Sequence, residues 1–187
     1  MDQKDSFEFM IVGLGGMGAL FAGRTLAETA MSKYKHVLYF PNYGPQMRLG
    51  DSECTVIISN QHIRSHCIMN PESVIVMGAI PLLKFESRMP PGGMMIFDGT
   101  VQPSTPSRSD VKTYSIPATQ TATNLGDRLV ANFVLLGAYV EATNVVPLEK
   151  IEKYLNVRMS GVKKEVALAL NKAALWEGSR LMVESKN

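Results

Sequence analysis

The six residues Gly13-Leu-Gly-Gly-Met-Gly18 place three glycines at the spacing of a tight turn between a strand and a helix. They follow an apolar run at residues 7–12. They also open a stretch, residues 16–30, in which Met17, Leu20, Phe21, Leu26 and Ala27 recur at helical spacing. A strand, a glycine turn and a helix in that order commit the chain to an α/β architecture. The turn reverses the backbone, brings helix and strand close together, and leaves N–H groups at the helix start where an anion can approach. Gly13, Gly15, Gly16 and Gly18 are therefore candidate cofactor-binding residues. The same geometry also serves a turn that only packs, and the motif by itself does not separate the two.

In dinucleotide-binding proteins this turn is completed by an Asp or Glu at the end of the second strand, which holds the ribose hydroxyls. The second strand here, residues 36–40, runs into Pro41 and Asn42 with no carboxylate and no arginine. The sequence thus argues against ordinary NAD or NADP binding. The next six residues, Tyr43-Gly44-Pro45-Gln46-Met47-Arg48, form a turn carrying a cation at the carboxyl end of a strand. Open α/β sheets place their ligands and partner contacts at that end.

Residues 54–59, 74–77, 94–97 and 111–115 read as further strands, giving a Rossmann-like, mostly parallel sheet with flanking helices. The last third is helical: residues 118–142 as one long helix, a second helix opened by Pro147, and a third over residues 162–183. The segment Pro103-Ser-Thr-Pro-Ser-Arg-Ser reads as an exposed loop, and Asp98-Gly99 as a turn with a surface role. A chain of 187 residues with no internal repeat is expected to form a single domain, residues 1–187.

Several classes are excluded. Lys and Arg number 19 against 17 Asp and Glu, scattered without a basic block, so nucleic acid is not an expected partner. The longest apolar stretch, residues 129–140, is well short of the roughly 20 residues a membrane span needs. With a polar N-terminus and no secretory signal, a cytoplasmic location is expected. Two cysteines, Cys54 and Cys67, cannot furnish a four-thiolate iron-sulfur cluster. His62, His66 and Cys67 lack a supporting carboxylate, so no metal site is expected. No nucleophile elbow, Walker loop or carboxylate pair is present, and no catalytic residue is assigned. Asn132 lies in an apolar neighbourhood and, if buried, must be hydrogen-bonded.

Gly13-Leu-Gly-Gly-Met-Gly-Ala19, the block from Phe40 through Tyr43-Gly-Pro-Gln-Met-Arg48 to Cys54, and Val56-Ile-Ile-Ser59 together resemble the gamma subunit of 2-oxoacid:acceptor (ferredoxin) oxidoreductases. Ala131-Asn-Phe-Val-Leu-Leu-Gly-Ala138 and the closing helix extend the resemblance over nearly the whole chain. It implies a subunit, inactive alone, of an enzyme that oxidatively decarboxylates a 2-oxoacid to an acyl-coenzyme A, with 2-oxoglutarate the favoured substrate. Alpha and beta subunits, and delta where present, would be its partners and would hold thiamine diphosphate and the iron-sulfur clusters. This chain would hold none of these; coenzyme A is its candidate ligand, and Tyr43 to Arg48 its partner or active-site loop. Alone, it is expected to self-associate. The chain departs from the family pattern at Met17, Gln46 and Leu49. The rival reading is a stand-alone nucleotide-binding or regulatory domain.

Overall fold

β1 (Ser6–Leu14) sits in the middle of the sheet because both of its faces are apolar. Phe7, Phe9 and Ile11 enter one buried cluster, and Met10 and Val12 enter another on the opposite face. The computed structural model describes residues 5–43, 51–65, 68–102, 104–159 and 164–186. Within them the sheet has six strands in the order β2-β3-β1-β4-β5-β6. These are β2 (His36–Tyr43), β3 (Asp51–Ser59), β4 (Ser73–Val76), β5 (Met94–Asp98) and β6 (Lys112–Ile116), besides β1.

β1, β4, β5 and β6 pair in parallel, as expected. β3 is the exception: it lies between β1 and β2 and is antiparallel to both. β2 therefore runs in the same direction as β1, although two strand spacings separate them. β2 also continues through Pro41 to Tyr43 instead of stopping at the proline. It is an edge strand, where a residue without an N–H costs the ladder little.

α1 (Ala19–Ala30) starts three residues later than periodicity predicts, because Gly16 and Gly18 both take positive φ, 92° and 76°. It packs over β1 and β3, burying Cys54, whose Sγ lies 3.7 Å from the Ala19 carbonyl oxygen. Burial pushes the Cys54 thiol up to about 12. At pH 8 only about one thiol in ten thousand would be ionised, and the thiolate is the nucleophile. Cys54 in the folded protein should therefore resist iodoacetamide at pH 8 for hours and become fully labelled in denaturant. Peptide mapping checks this, and rapid native labelling at Cys54 would contradict the packing.

The predicted helix over residues 118–142 is two helices. α3 (Ala118–Leu125) ends at Gly126, whose φ is 109°, and Asp127 then caps a 3-10 turn (Arg128–Val130) by accepting from Leu129 N at 2.9 Å. α4 (Ala131–Thr143) follows, with Asn132 through Val140 all buried. Such an all-round apolar helix must be covered on every side. The sheet covers one side, where Tyr139 packs on Phe9 with ring centroids 4.6 Å apart. α6 (Glu165–Ser185) covers another. Each fully buried Phe or Leu of α4 stabilises the fold by about 1.5–3 kcal/mol.

α5 (Leu148–Arg158) begins after Pro147, as its sequence predicts, and docks on α1. There Tyr154 Oη donates to the Glu28 carboxylate at 2.6 Å. That bond, with a second from Arg24, holds the Glu28 carboxyl below its ordinary range. A short helix, α2 (Leu83–Glu86), covers the opposite face of the sheet with Phe85.

Candidate functional site

The glycine turn closes on itself through Met17 N donating to Leu14 O at 3.1 Å. Gly16 faces open space: a Cβ built on it meets nothing within 4 Å. Its positive φ is what excludes other residues. Gly18 is constrained twice, by its φ of 76° and by the Asn132 amide, onto which a Cβ would fall. Asn132 is buried and satisfied. Its Nδ2 donates to Gly18 O at 3.2 Å, and its Oδ1 accepts from Phe133 N at 2.9 Å. The first turn of α4 is thereby tied to the start of α1 across the carboxyl ends of the strands.

Between these helix starts lies a cavity of about 350 Å³. Its floor is Leu14, Gly15, Gly16 and Met17 from the turn, with Met77 and Gly78 following β4; Ala131, Asn132 and Leu135 of α4 form one wall. Thr119 of α3 and the 3-10 turn's Arg128 and Leu129 close the rim. The site is the crevice between β1 and β4, where parallel strands diverge to helices on opposite faces and where such sheets bind ligands. Gly15 and Gly16 thus line the cavity, while Gly13 and Gly18 stand behind it as packing points.

The charges around the cavity are unequal in freedom. Asp98, predicted to serve a surface turn, is 2% exposed. Its carboxylate accepts from Thr100 N at 3.1 Å, from Thr119 N at 3.1 and 3.2 Å, and from the Thr119 hydroxyl. Asp98 is buried because its carboxylate faces the start of α3, 21 residues further along the chain at Thr119. Arg128, by contrast, is exposed and has no carboxylate partner among the described residues. Sequence reasoning missed Arg128, Thr119 and Met77, because three separate elements bring them to the cavity and no local spacing marks them.

The end of β2 carries no acid, and the acids nearest the turn in the sheet come from β3, whose Asp51 and Glu53 pair in register with Leu14 and Val12 of β1. β3 intervenes between β1 and β2, which moves the end of β2 roughly 9–10 Å from β1. Ser52 at the start of β3 donates to Gly13 O at 3.2 Å and occupies the flank where the second strand would otherwise lie.

Tyr43 is the last residue of β2, paired with Ser52; Gly44, Pro45, Gln46, Met47 and Arg48 lie outside the described residues. So do His66 and Cys67. His62 packs edge-to-face on His36 with centroids 5.6 Å apart. Among the described residues no group of three or more His, Cys, Asp or Glu could hold a metal ion, and no helix is long and apolar enough to cross a membrane.

Comparison with known proteins agrees with this architecture. The gamma subunit of a keto/oxoacid ferredoxin oxidoreductase from Geobacter sulfurreducens superposes with a TM-score of 0.80 at 28% identity, covering 95% of this chain and 99% of that one. The 2-oxoglutarate synthase subunit KorC of Methanothermobacter thermautotrophicus is 30% identical, over 92% of this chain and 97% of its own length. The pyruvate synthase subunit PorC of Thermotoga maritima is 31% identical, over 94% of each. The ketoisovalerate oxidoreductase subunit VorA of Methanothermobacter thermautotrophicus is 30% identical over 90% of this chain, which spans only about a third (35%) of that longer protein. The pyruvate ferredoxin/flavodoxin oxidoreductase family model matches residues 8–181, and the chain belongs to that family.

Proposed function

We propose that this chain is the gamma subunit of a thiamine-diphosphate-dependent 2-oxoacid:ferredoxin oxidoreductase, cytoplasmic and inactive by itself. In this reading it contributes to assembly and to coenzyme A access, while alpha and beta subunits, and delta where present, hold thiamine diphosphate and the iron-sulfur clusters. The observation that carries the reading is the cavity at the glycine turn. It offers a crevice beside the start of a helix, with Arg128 in its lining and no acid at the end of β2 where NAD sites hold the ribose, and this favours coenzyme A over NAD. Near-full-length similarity to KorC supports 2-oxoglutarate as substrate, although identities to PorC and VorA are nearly equal. The substrate is then chosen mainly by the other subunits. Tyr43 to Arg48, which begin at the last residue of β2, are in this reading the segment that meets a partner or the active site.

Purification of the chain from its native host should bring down thiamine-binding and cluster-bearing subunits; a chain that travels alone would sink the subunit reading. In the assembled complex, Gly16→Val should raise the apparent coenzyme A constant tenfold or more and leave 2-oxoacid binding unchanged. The valine side chain would enter the space that Gly16 leaves open and would also strain the turn at φ 92°, so the comparison is made in a complex that still assembles and with 2-oxoacid binding as the control. Unaltered coenzyme A dependence in a complex that still assembles would reduce the glycines to a packing role.

A further inference from the structure

α6 buries one face, through Asn171, Ala174, Leu175, Gly178 and Met182, and leaves the opposite one largely apolar. Outward stand Val166, Ala169, Ala173, Trp176, Arg180 and Val183, all exposed, with Val166 at 74%, Trp176 at 42% and Val183 at 46%. These residues recur at alternating steps of three and four, the spacing of a seam by which one helix packs on another. Scattered single apolar residues on a surface are ordinary, but a helix face made for water would carry polar residues at these positions. The one charge in the seam, Arg180, is already paired on its own helix with Glu177 and Glu184.

Trp176 is held ready for contact. Its Nε1 donates to Glu152 Oε2 at 3.1 Å, and Lys172 Nζ holds Glu152 Oε1 at 2.7 Å. α5 thereby fixes the indole while leaving it partly exposed, so docking against it orders little that is not ordered already. A second α6 laid antiparallel, centred between residues 173 and 176, answers each position of the seam. The partner's Trp176 lies over Ala173, and the partner's Ala173 over Trp176, so a large residue meets a small one twice. Val166 meets the partner's Val183, and Ala169 meets the aliphatic stem of the partner's Arg180. Charge agrees with this direction. Lys164 and Glu165 lie opposite the partner's Glu184 and the partner's Lys186, and the acidic residues of the last turns face the positive end of the partner helix. A parallel pair would instead set Glu177 and Glu184 beside their own copies.

We propose that the outward face of α6 is a docking surface for a second copy of this chain, joined antiparallel about a two-fold axis between Ala173 and Trp176. One patch then serves both copies, as a two-fold interface requires. A single helix pair lies at the low end of interface sizes, under about 1,200 Å² in total, so the dimer is weak, with a Kd of roughly 10–100 μM. No described residue of α6 lines the cavity at the glycine turn, so this surface does not depend on what that cavity binds.

Trp176 is the protein's single tryptophan, so its fluorescence reports on this face alone. Across roughly 1–500 μM full chain, its emission should move to shorter wavelength in step with a monomer–dimer equilibrium followed by sedimentation. Ala173→Arg should weaken the dimer about tenfold or more and remove the spectral shift, with circular dichroism and the thermal midpoint unchanged, since the position is exposed. Ala169→Glu should do the same from a second position. Cysteine pairs read the direction, in a Cys67→Ser background. Val166→Cys chain mixed with Val183→Cys chain should form a disulfide-linked dimer under mild oxidation. Val166→Cys alone should not, because the two copies of that position stand about 25 Å apart in an antiparallel pair. Four results would overturn the proposal: a chain monomeric throughout, a dimer indifferent to both Ala173→Arg and Ala169→Glu, cross-linking by Val166→Cys alone as readily as by the mixture, or a Trp176 shift that appears only when thiamine-binding and cluster-bearing subunits are added. The last would give the face to a different subunit, and each would leave the proposed subunit role standing.

Discussion

Replacing Gly137 or Gly178 by alanine should destabilise the protein by about 3 kcal/mol or more, the upper part of the range for overpacked cores. The sign is the informative part, because glycine to alanine inside a helix ordinarily stabilises by up to about 1 kcal/mol. α4 and α6 cross with their backbones in contact at these two residues. A Cβ on Gly137 would fall on the Leu175 carbonyl oxygen, and one on Gly178 on the Val134 carbonyl oxygen. Neither obstacle is a side chain that can rotate aside. The helices would have to separate, opening the packing around Phe133, Leu136, Ala174 and Leu175, all buried. For a chain of this size the midpoint of thermal unfolding should fall by about 6–12 °C. The double variant should cost less than the sum, since one alanine already spreads the crossing for the other. Thermal and urea unfolding of the full chain measure both effects, and a neutral or stabilising outcome at both sites would show that the helices do not cross this closely.

The parts of the fold that are legible in the sequence, and the parts that are hidden, reflect the range of each physical signal. β1, β4 and β5 can be read because strands buried on both faces are short continuous apolar runs bounded by turn residues. The glycine turn and α1 can be read because φ demands and helical spacing are local. The direction of β3 cannot: Cys54-Thr-Val-Ile-Ile-Ser59 is equally apolar whichever way it runs. Its insertion between β1 and β2 depends on a pairing that no local pattern encodes. The break at Gly126 is hidden because apolar residues continue at helical spacing on both sides of it, and one glycine inside such a pattern is usually tolerated. Asn132 is legible as an amide that needs a hydrogen bond once buried, but its partner, Gly18 O, is more than a hundred residues away. The cavity obeys the same rule. Its glycine floor is visible in sequence, and its arginine, threonine and second methionine are not.

Asp98→Ala should cost about 2–3 kcal/mol and weaken ligand binding at the cavity, through α3 and not through chemistry at the carboxylate. Asp98 ends β5 and accepts from the first turn of α3 through Thr119 N and the Thr119 hydroxyl, and from its own turn through Thr100 N. α3 has no capping side chain of its own, as the residue before it is Pro117. Asp98 therefore acts as its cap from another element, with a carboxylate placed favourably at the positive end of the helix dipole. Removing it leaves several donors without a partner, at about 1–3 kcal/mol for each that water cannot reach. Thr100 is exposed and Thr119 half-buried, so solvent should recover part of that cost. Asp98→Asn keeps one acceptor oxygen in place but turns an N–H₂ toward Thr119 N, and should lose about 1 kcal/mol, less than alanine. Hydrogen exchange separates this capping role from a catalytic one. The amides of α3 should lose protection in Asp98→Ala and recover much of it in Asp98→Asn, with turnover in the assembled complex following the same order. If Asp98→Asn abolished turnover while the protection of α3 stayed at the wild-type level, the carboxylate would have to act on substrate directly, and its enclosure by Thr100 and Thr119 would need to open in the working complex.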